Sequence, residues 1–207
     1  MFLRRDLRQW ADYYAHTSLD KAYNFRMNKG DGKMANFDSQ VAQEITGRAY
    51  SLGYENEQKY GCCPQCVLAA IQDVLGIIDD ATFKASHGLG AGGGLSTGGT
   101  CGALAGGMLA LSSKYGRDRA HFGNGRFMQS YELSKRLHDR FVAEFGSPVC
   151  AEVQTRLMGR PFNMWVAKDF KAFEAAGGHR DKCTRVAGTV AAWTAEMLIE
   201  LAEEEPR

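Results

Sequence analysis

The sequence predicts an all-α protein, and three observations predict it. Apolar residues recur at helical spacing through long stretches, period-two alternation is nowhere sustained, and capping residues or prolines stand in front of most apolar runs. The expected architecture is a compact multi-helix domain over residues 36–207 with a glycine-rich loop, preceded by an N-terminal helical arm over residues 1–35.

Taken in order, the arm places Leu7, Trp10, Tyr13 and Tyr14 at helical spacing before a loop, NKGDGK, at residues 28–33. Its aromatic residues read as packing anchors. Asp38 and Ser39 can cap a helix reaching about Leu52, with Val41, Ile45 and Tyr50 among its apolar positions. The stretch GCCPQC then leads into VLAAIQDVLGI; Pro64 suits the first position of a helix, which makes Cys63 its N-cap and puts Cys66 in the first turn. Asp79 and Asp80 open a short helix toward Ser86. A glycine-rich passage over residues 88–99 precedes the helical run CGALAGGMLALSSKYG.

A long amphipathic helix is expected over residues 126–145, carrying Met128, Leu133, Leu137, Phe141 and Phe145. Ser147-Pro148 signals a shorter helix over 149–157, and another is expected over 166–175. After Gly177-Gly178, Asp181 can cap a last helix running from about Lys182 to Glu204.

Composition narrows the function. The 44% hydrophobic and 24% charged residues are those of an ordinary globular chain. A net charge of +1 lacks the basic excess that phosphate binding needs, so nucleic acid is not an expected partner. No segment approaches the ~20 apolar residues of a membrane span, and the residues after Arg4, Arg5 and Asp6 lack a signal-peptide apolar core. A cytoplasmic location is the expectation.

The chemistry lies in six cysteines, Cys62, Cys63, Cys66, Cys101, Cys150 and Cys183. A chain of 207 residues needs no disulfide scaffold, so cysteines in it point to metal or redox chemistry. Four separately predicted helices each begin with one of them: Cys63, Cys101, Cys150 and Cys183. A helix N-terminus offers unpaired N–H groups and about half a positive charge. A thiol there is expected to have a depressed pKa, and four such ends brought together would suit a thiolate-ligated cluster.

Cys63-Pro-Gln-Cys66 also has the spacing of a redox dithiol, without the preceding strand of a thioredoxin-like domain. Val67 follows it where a covalent c-type haem site needs histidine, so no such haem is expected. Structural zinc usually takes paired knuckles, and only one C-x-x-C is present. Cys62 reads as a spare ligand or a plain thiol, and His87 as a ligand, a proton donor or a hydrogen-bonded surface residue. The glycine passage has no G-K-[ST] and follows no strand, so it is read as backbone that approaches a cofactor or helix closely. Gly102 and Gly106, four apart, leave a flat helix face beside Cys101.

The stretch GCCPQCVLAA, the run Cys101-Gly-Ala-Leu-Ala-Gly106, FGSPVC ending at Cys150, and Cys183 together resemble the putative redox-active C_GCAxxG_C_C family. The resemblance covers roughly residues 58–200. It implies that the family's four cysteines correspond to Cys63, Cys101, Cys150 and Cys183, leaving Cys62 and Cys66 outside the quartet. A related domain resembles that of split-Soret cytochromes, dimers that combine haem with an iron–sulfur centre; with no C-x-x-C-H here, only the iron-centre part carries over.

Three readings follow. The first is an iron–sulfur redox or electron-transfer protein with Cys63, Cys101, Cys150 and Cys183 as ligands and Gly102 beside the cluster. It would exchange electrons with a redox partner protein or a small-molecule acceptor. The second is a thiol–disulfide oxidoreductase with Cys63 attacking and Cys66 resolving. The third is a zinc-binding structural module. Homodimerisation is expected from the aromatic arm and the family resemblance.

Overall fold

A computed structural model describes residues 39–125 and 127–204. The expected arm, with Trp10, Tyr13 and Tyr14, lies outside the described residues. Residues 44–207 form one compact unit; of the separate unit over residues 1–43, only the first residues of helix α1 are described.

Eight α-helices make up the described chain: α1 Ser39–Tyr60, α2 Cys63–Leu75, α3 Asp80–Ser86, α4 Gly102–Tyr115, α5 Met128–Phe145, α6 Cys150–Met158, α7 Ala167–Ala175 and α8 Cys183–Glu204. The all-α expectation holds. The sole extended pairing among the described residues is an isolated antiparallel bridge between Thr100 and Val149. No helix among them is long and apolar enough to cross a membrane.

The core forms where α2, α4 and α8 pack on one another and α5 packs on α4. Helix α4 is buried nearly all round, and its glycines explain how it fits. A Cβ on Gly106 would stand 2.6 Å from the Pro64 carbonyl oxygen of α2, and one on Gly107 would stand 2.7 Å from Leu137 of α5 and from Thr194 of α8. Glycine on opposite faces thus lets α4 lie between its neighbours at close range. Leu68, Ile71, Leu104, Leu111, Leu137, Phe141, Val190 and Met197 fill the space between, all fully or almost fully buried. Ion pairs Arg136–Glu200, Arg140–Glu196 and Arg185–Glu144 join α5 to α8 at the surface, where such pairs contribute little.

Three helix boundaries differ from expectation. Helix α1 continues past Leu52 to Tyr60. Gly53, just past the expected end, is a crossing point: its Cβ would meet the Ala187 carbonyl oxygen and the Ala191 side chain of α8 at 2.9 Å. Helix α2 has Cys62 as its N-cap, so Cys63 is its first residue and Pro64 its second. Asp181 does not cap α8, because a π-helical turn, Gly178–Lys182, precedes that helix and Asp181 pairs with Lys182 and Arg180. Asp79 caps α3 as expected, accepting a hydrogen bond from the Thr82 amide at 2.7 Å.

A candidate cysteine site at converging helix ends

Each cysteine of the quartet stands at a helix start: Cys63, Cys150 and Cys183 as first residues, Cys101 as N-cap. The bridge between Thr100 and Val149 fastens two of these starts together. The Cys101 amide donates to the Pro148 carbonyl at 2.7 Å and the Cys150 amide to the Gly99 carbonyl at 2.9 Å. Gly102 brings the third against them; a Cβ there would stand 2.5 Å from Cys63 Sγ and 2.8 Å from Pro64 Cδ. Cys183 completes the group, within electrostatic reach of Cys63, Cys101 and Cys150.

The glycine-rich passage wraps this end. Its 3-10 turn, His87–Gly92, puts the Ala91 amide on the Cys63 sulfur, and Ala91, Leu95 and Thr97 all take left-handed backbone conformations. Gly92, at φ +80°, has room for no side chain, since its Cβ would meet Thr97 Cα at 2.9 Å and Cys150 Cβ at 3.1 Å. The close-approach reading of the passage is the one that holds. His87 contributes its backbone carbonyl, which accepts from the Cys62 thiol.

The depressed thiol pKa expected at helix N-termini is not what the site has. Burial raises every one of the six. It pushes Cys101 up to about 11, against the pull of the Ala103 and Leu104 amides, and Cys150 up to about 12, against a hydrogen bond from Gln154. Cys63 and Cys183 are raised well above the ordinary thiol range, first by burial, then by the charge of Glu57 and of neighbouring cysteines. Withdrawal from water outweighs half a unit of helix-dipole charge.

Cys66 belongs to a different set. It is 3% exposed, its thiol donates to the Gly61 carbonyl and lies in hydrogen-bond range of Glu57, and burial followed by the charge of Glu57 drives its pKa strongly upward. The cysteine whose charge it feels is Cys62, not Cys63. Cys62 itself sits at φ +61°, a left-handed conformation unusual for a side chain with a Cβ. All six cysteines are free thiols.

Glu57 is the residue that sequence reasoning missed. It lies in the last turn of α1, is 2% exposed, and its charge is felt by all six cysteines. Its Oε2 has no hydrogen-bond partner. Facing its Oε1 at 3.8 Å is Nε2 of His179, whose Nδ1 lies 2.6 Å from Glu174. A signal for Glu57 does exist: Ala49, Gly53 and Glu57, four apart, form the buried stripe of α1 and put an acid in register with two small core residues. Nothing comparable marks His179 and Glu174, which meet across the Gly177-Gly178 turn.

Among the described residues, no three His, Cys, Asp or Glu side chains stand in a ready-made arrangement for a metal ion. Comparison with known proteins gives one match: the family model described as putative redox-active protein (C_GCAxxG_C_C) fits residues 61–197. The chain belongs to that family. All six cysteines fall inside the matched stretch, and Glu57 falls before it. No curated protein and no solved structure matches the chain.

Proposed function

We propose that this redox-family protein holds an iron–sulfur cluster through Cys63, Cys101, Cys150 and Cys183 and passes electrons to and from a redox partner protein or a small-molecule acceptor. The observation that carries the reading is the meeting of four unpaired thiols at four helix starts, Cys101 and Cys150 buried and Cys63 and Cys183 half-buried. The donor set suits such a cluster: thiolate ligands, with the amides of Ala91, Ala103 and Leu104 directed at the sulfurs. A bound cluster would supply a site that gains and loses single electrons.

The chain's own residues account for the rest. Raised thiol pKa values keep the quartet protonated in the absence of a cation, so loading iron must release protons, and affinity rises with pH. Gly102 and Gly92 let the backbone close on Cys63 and Cys150. The dithiol reading has weaker support, because a buried Cys66 with a strongly raised pKa is a poor partner in thiol exchange.

Anaerobic purification or reconstitution tests the proposal. Brown protein with iron, labile sulfide and charge-transfer absorption is expected, lost when any of Cys63, Cys101, Cys150 or Cys183 becomes serine and kept in Cys62→Ser and Cys66→Ser. Colourless protein free of iron overturns it; zinc in its place points to the structural module, and trapping of mixed disulfides by Cys66→Ser points to the dithiol.

A further inference from the structure

We propose that Glu57 is the proton-carrying group of the cysteine site, loaded and emptied through His179, so that electron uptake at the cysteines is accompanied by proton uptake at Glu57. The inference rests on the redox reading of the site.

Three observations carry it. Glu57 is a carboxyl at 2% exposure with one oxygen unpartnered, a costly arrangement that packing alone gives no reason to keep. Its charge acts on every cysteine in the chain, so it is the group best placed to offset charge arriving there. Finally, it has an outlet. His179 is 23% exposed and holds one ring nitrogen toward Glu174, itself 40% exposed, and the other toward Glu57.

The outlet is built. The Tyr54 hydroxyl donates to the Arg180 carbonyl at 2.8 Å and tethers α1 to the π-helical turn that carries His179. Gly61, at φ +64°, gives the ring room, because a Cβ there would come within 3.4 Å of Nε2. The Phe173 ring meets the imidazole edge-on at 5.0 Å and fixes its plane. The 3.8 Å gap to Glu57 is about 1 Å beyond hydrogen-bond length, within reach of a side-chain adjustment.

An external one-electron donor delivers an electron to the cysteine-held centre. His179, with Nδ1–H donating to Glu174, takes a proton from water at Nε2 and hands it to the Glu57 carboxylate, which returns the ring to its starting tautomer. The site ends one electron and one proton richer, with no net change in charge; oxidation by an external acceptor reverses both transfers. Burial, the largest influence on Glu57, raises its pKa and favours the protonated form, while the Cys66 hydrogen bond and His179 favour the ionised one and Glu174 opposes it. The carboxyl therefore sits among opposing influences that added charge at the cysteines would tip toward protonation.

Two measurements on the full chain test this. Infrared titration of the metal-free protein should show a protonated carboxyl band persisting above the ordinary carboxylate range. The band should be absent in Glu57→Gln and persist to higher pH in His179→Gln. Voltammetry of the loaded protein should give a midpoint that falls as pH rises, a dependence lost in Glu57→Gln and retained in Glu57→Asp, with circular dichroism checking that each variant is folded. No such band, or a wild-type midpoint flat across the pH range, overturns the coupling. A band without any redox wave overturns the redox reading of the site, and the coupling with it.

Discussion

Around Leu68, Ile71, Leu104, Leu111, Val190 and Met197, the helices α2, α4 and α8 bury hydrocarbon against hydrocarbon. Within two turns along the same three helices stand a buried Cys101 and half-buried Cys63 and Cys183, within the field of Glu57, with raised pKa values and no disulfide. The first region gains free energy from burial. The second loses it, since polar groups taken from water without strong partners are costly. The apolar middle thus holds the chain folded, and the helix starts carry polar groups that oppose it.

The largest test of that contrast is alkaline pH. Each of the six thiols has a folded pKa above its unfolded one, so the unfolded chain loses its protons first and rising pH favours unfolding. This contribution is fully present below about pH 8.5 and lost progressively above it. In the metal-free protein, each thiol is expected to lower the folding equilibrium about tenfold per pH unit between its unfolded and folded values. Urea titrations at pH 8, 9 and 10 check this, and alanine at the four helix-start cysteines should remove much of the slope. A pH-independent midpoint would erase the distinction between the two regions.

A mutation in the apolar middle should behave in the opposite way. Leu111→Ala, at a position with no exposure, is expected to cost about 2–5 kcal/mol at every pH, read from the urea midpoint. The slope with pH should stay as in the wild type. Gly106→Ala joins the regions, because its methyl would press on the Pro64 carbonyl at 2.6 Å and push α2 from α4. A loss of about 1–3 kcal/mol is expected, and faster alkylation of Cys63 should accompany it. Smallest is Asp79→Ala, which removes the cap of α3 for about 1 kcal/mol. Hydrogen exchange there should quicken across α3 while the protection of α4 and α8 is unchanged.

Much of this was legible in the chain itself. Apolar spacing and cap residues were enough for the all-α class and for most helix bounds, because both depend on residues within a turn or two of each other. The placing of Cys63, Cys101, Cys150 and Cys183 at helix starts is local in the same sense. The end of α1 was not local: the helix runs on past Leu52 to Tyr60, and at Gly53 it is crossed by α8 at a range that only a glycine admits. The π-helical turn before α8 likewise displaced Asp181 from its expected cap.

By itself, then, the sequence determined the helices, the cysteine at each of four helix starts, and membership in a redox-active family. The electrostatics of those cysteines belong to the assembled fold. Burial in the assembled bundle overrides the local pull of each helix dipole, and Glu57 and His179, more than a hundred residues apart in sequence, meet only when α1 lies against the turn before α8. Depth below the surface is a property of the whole fold, and so is the pKa that follows from it.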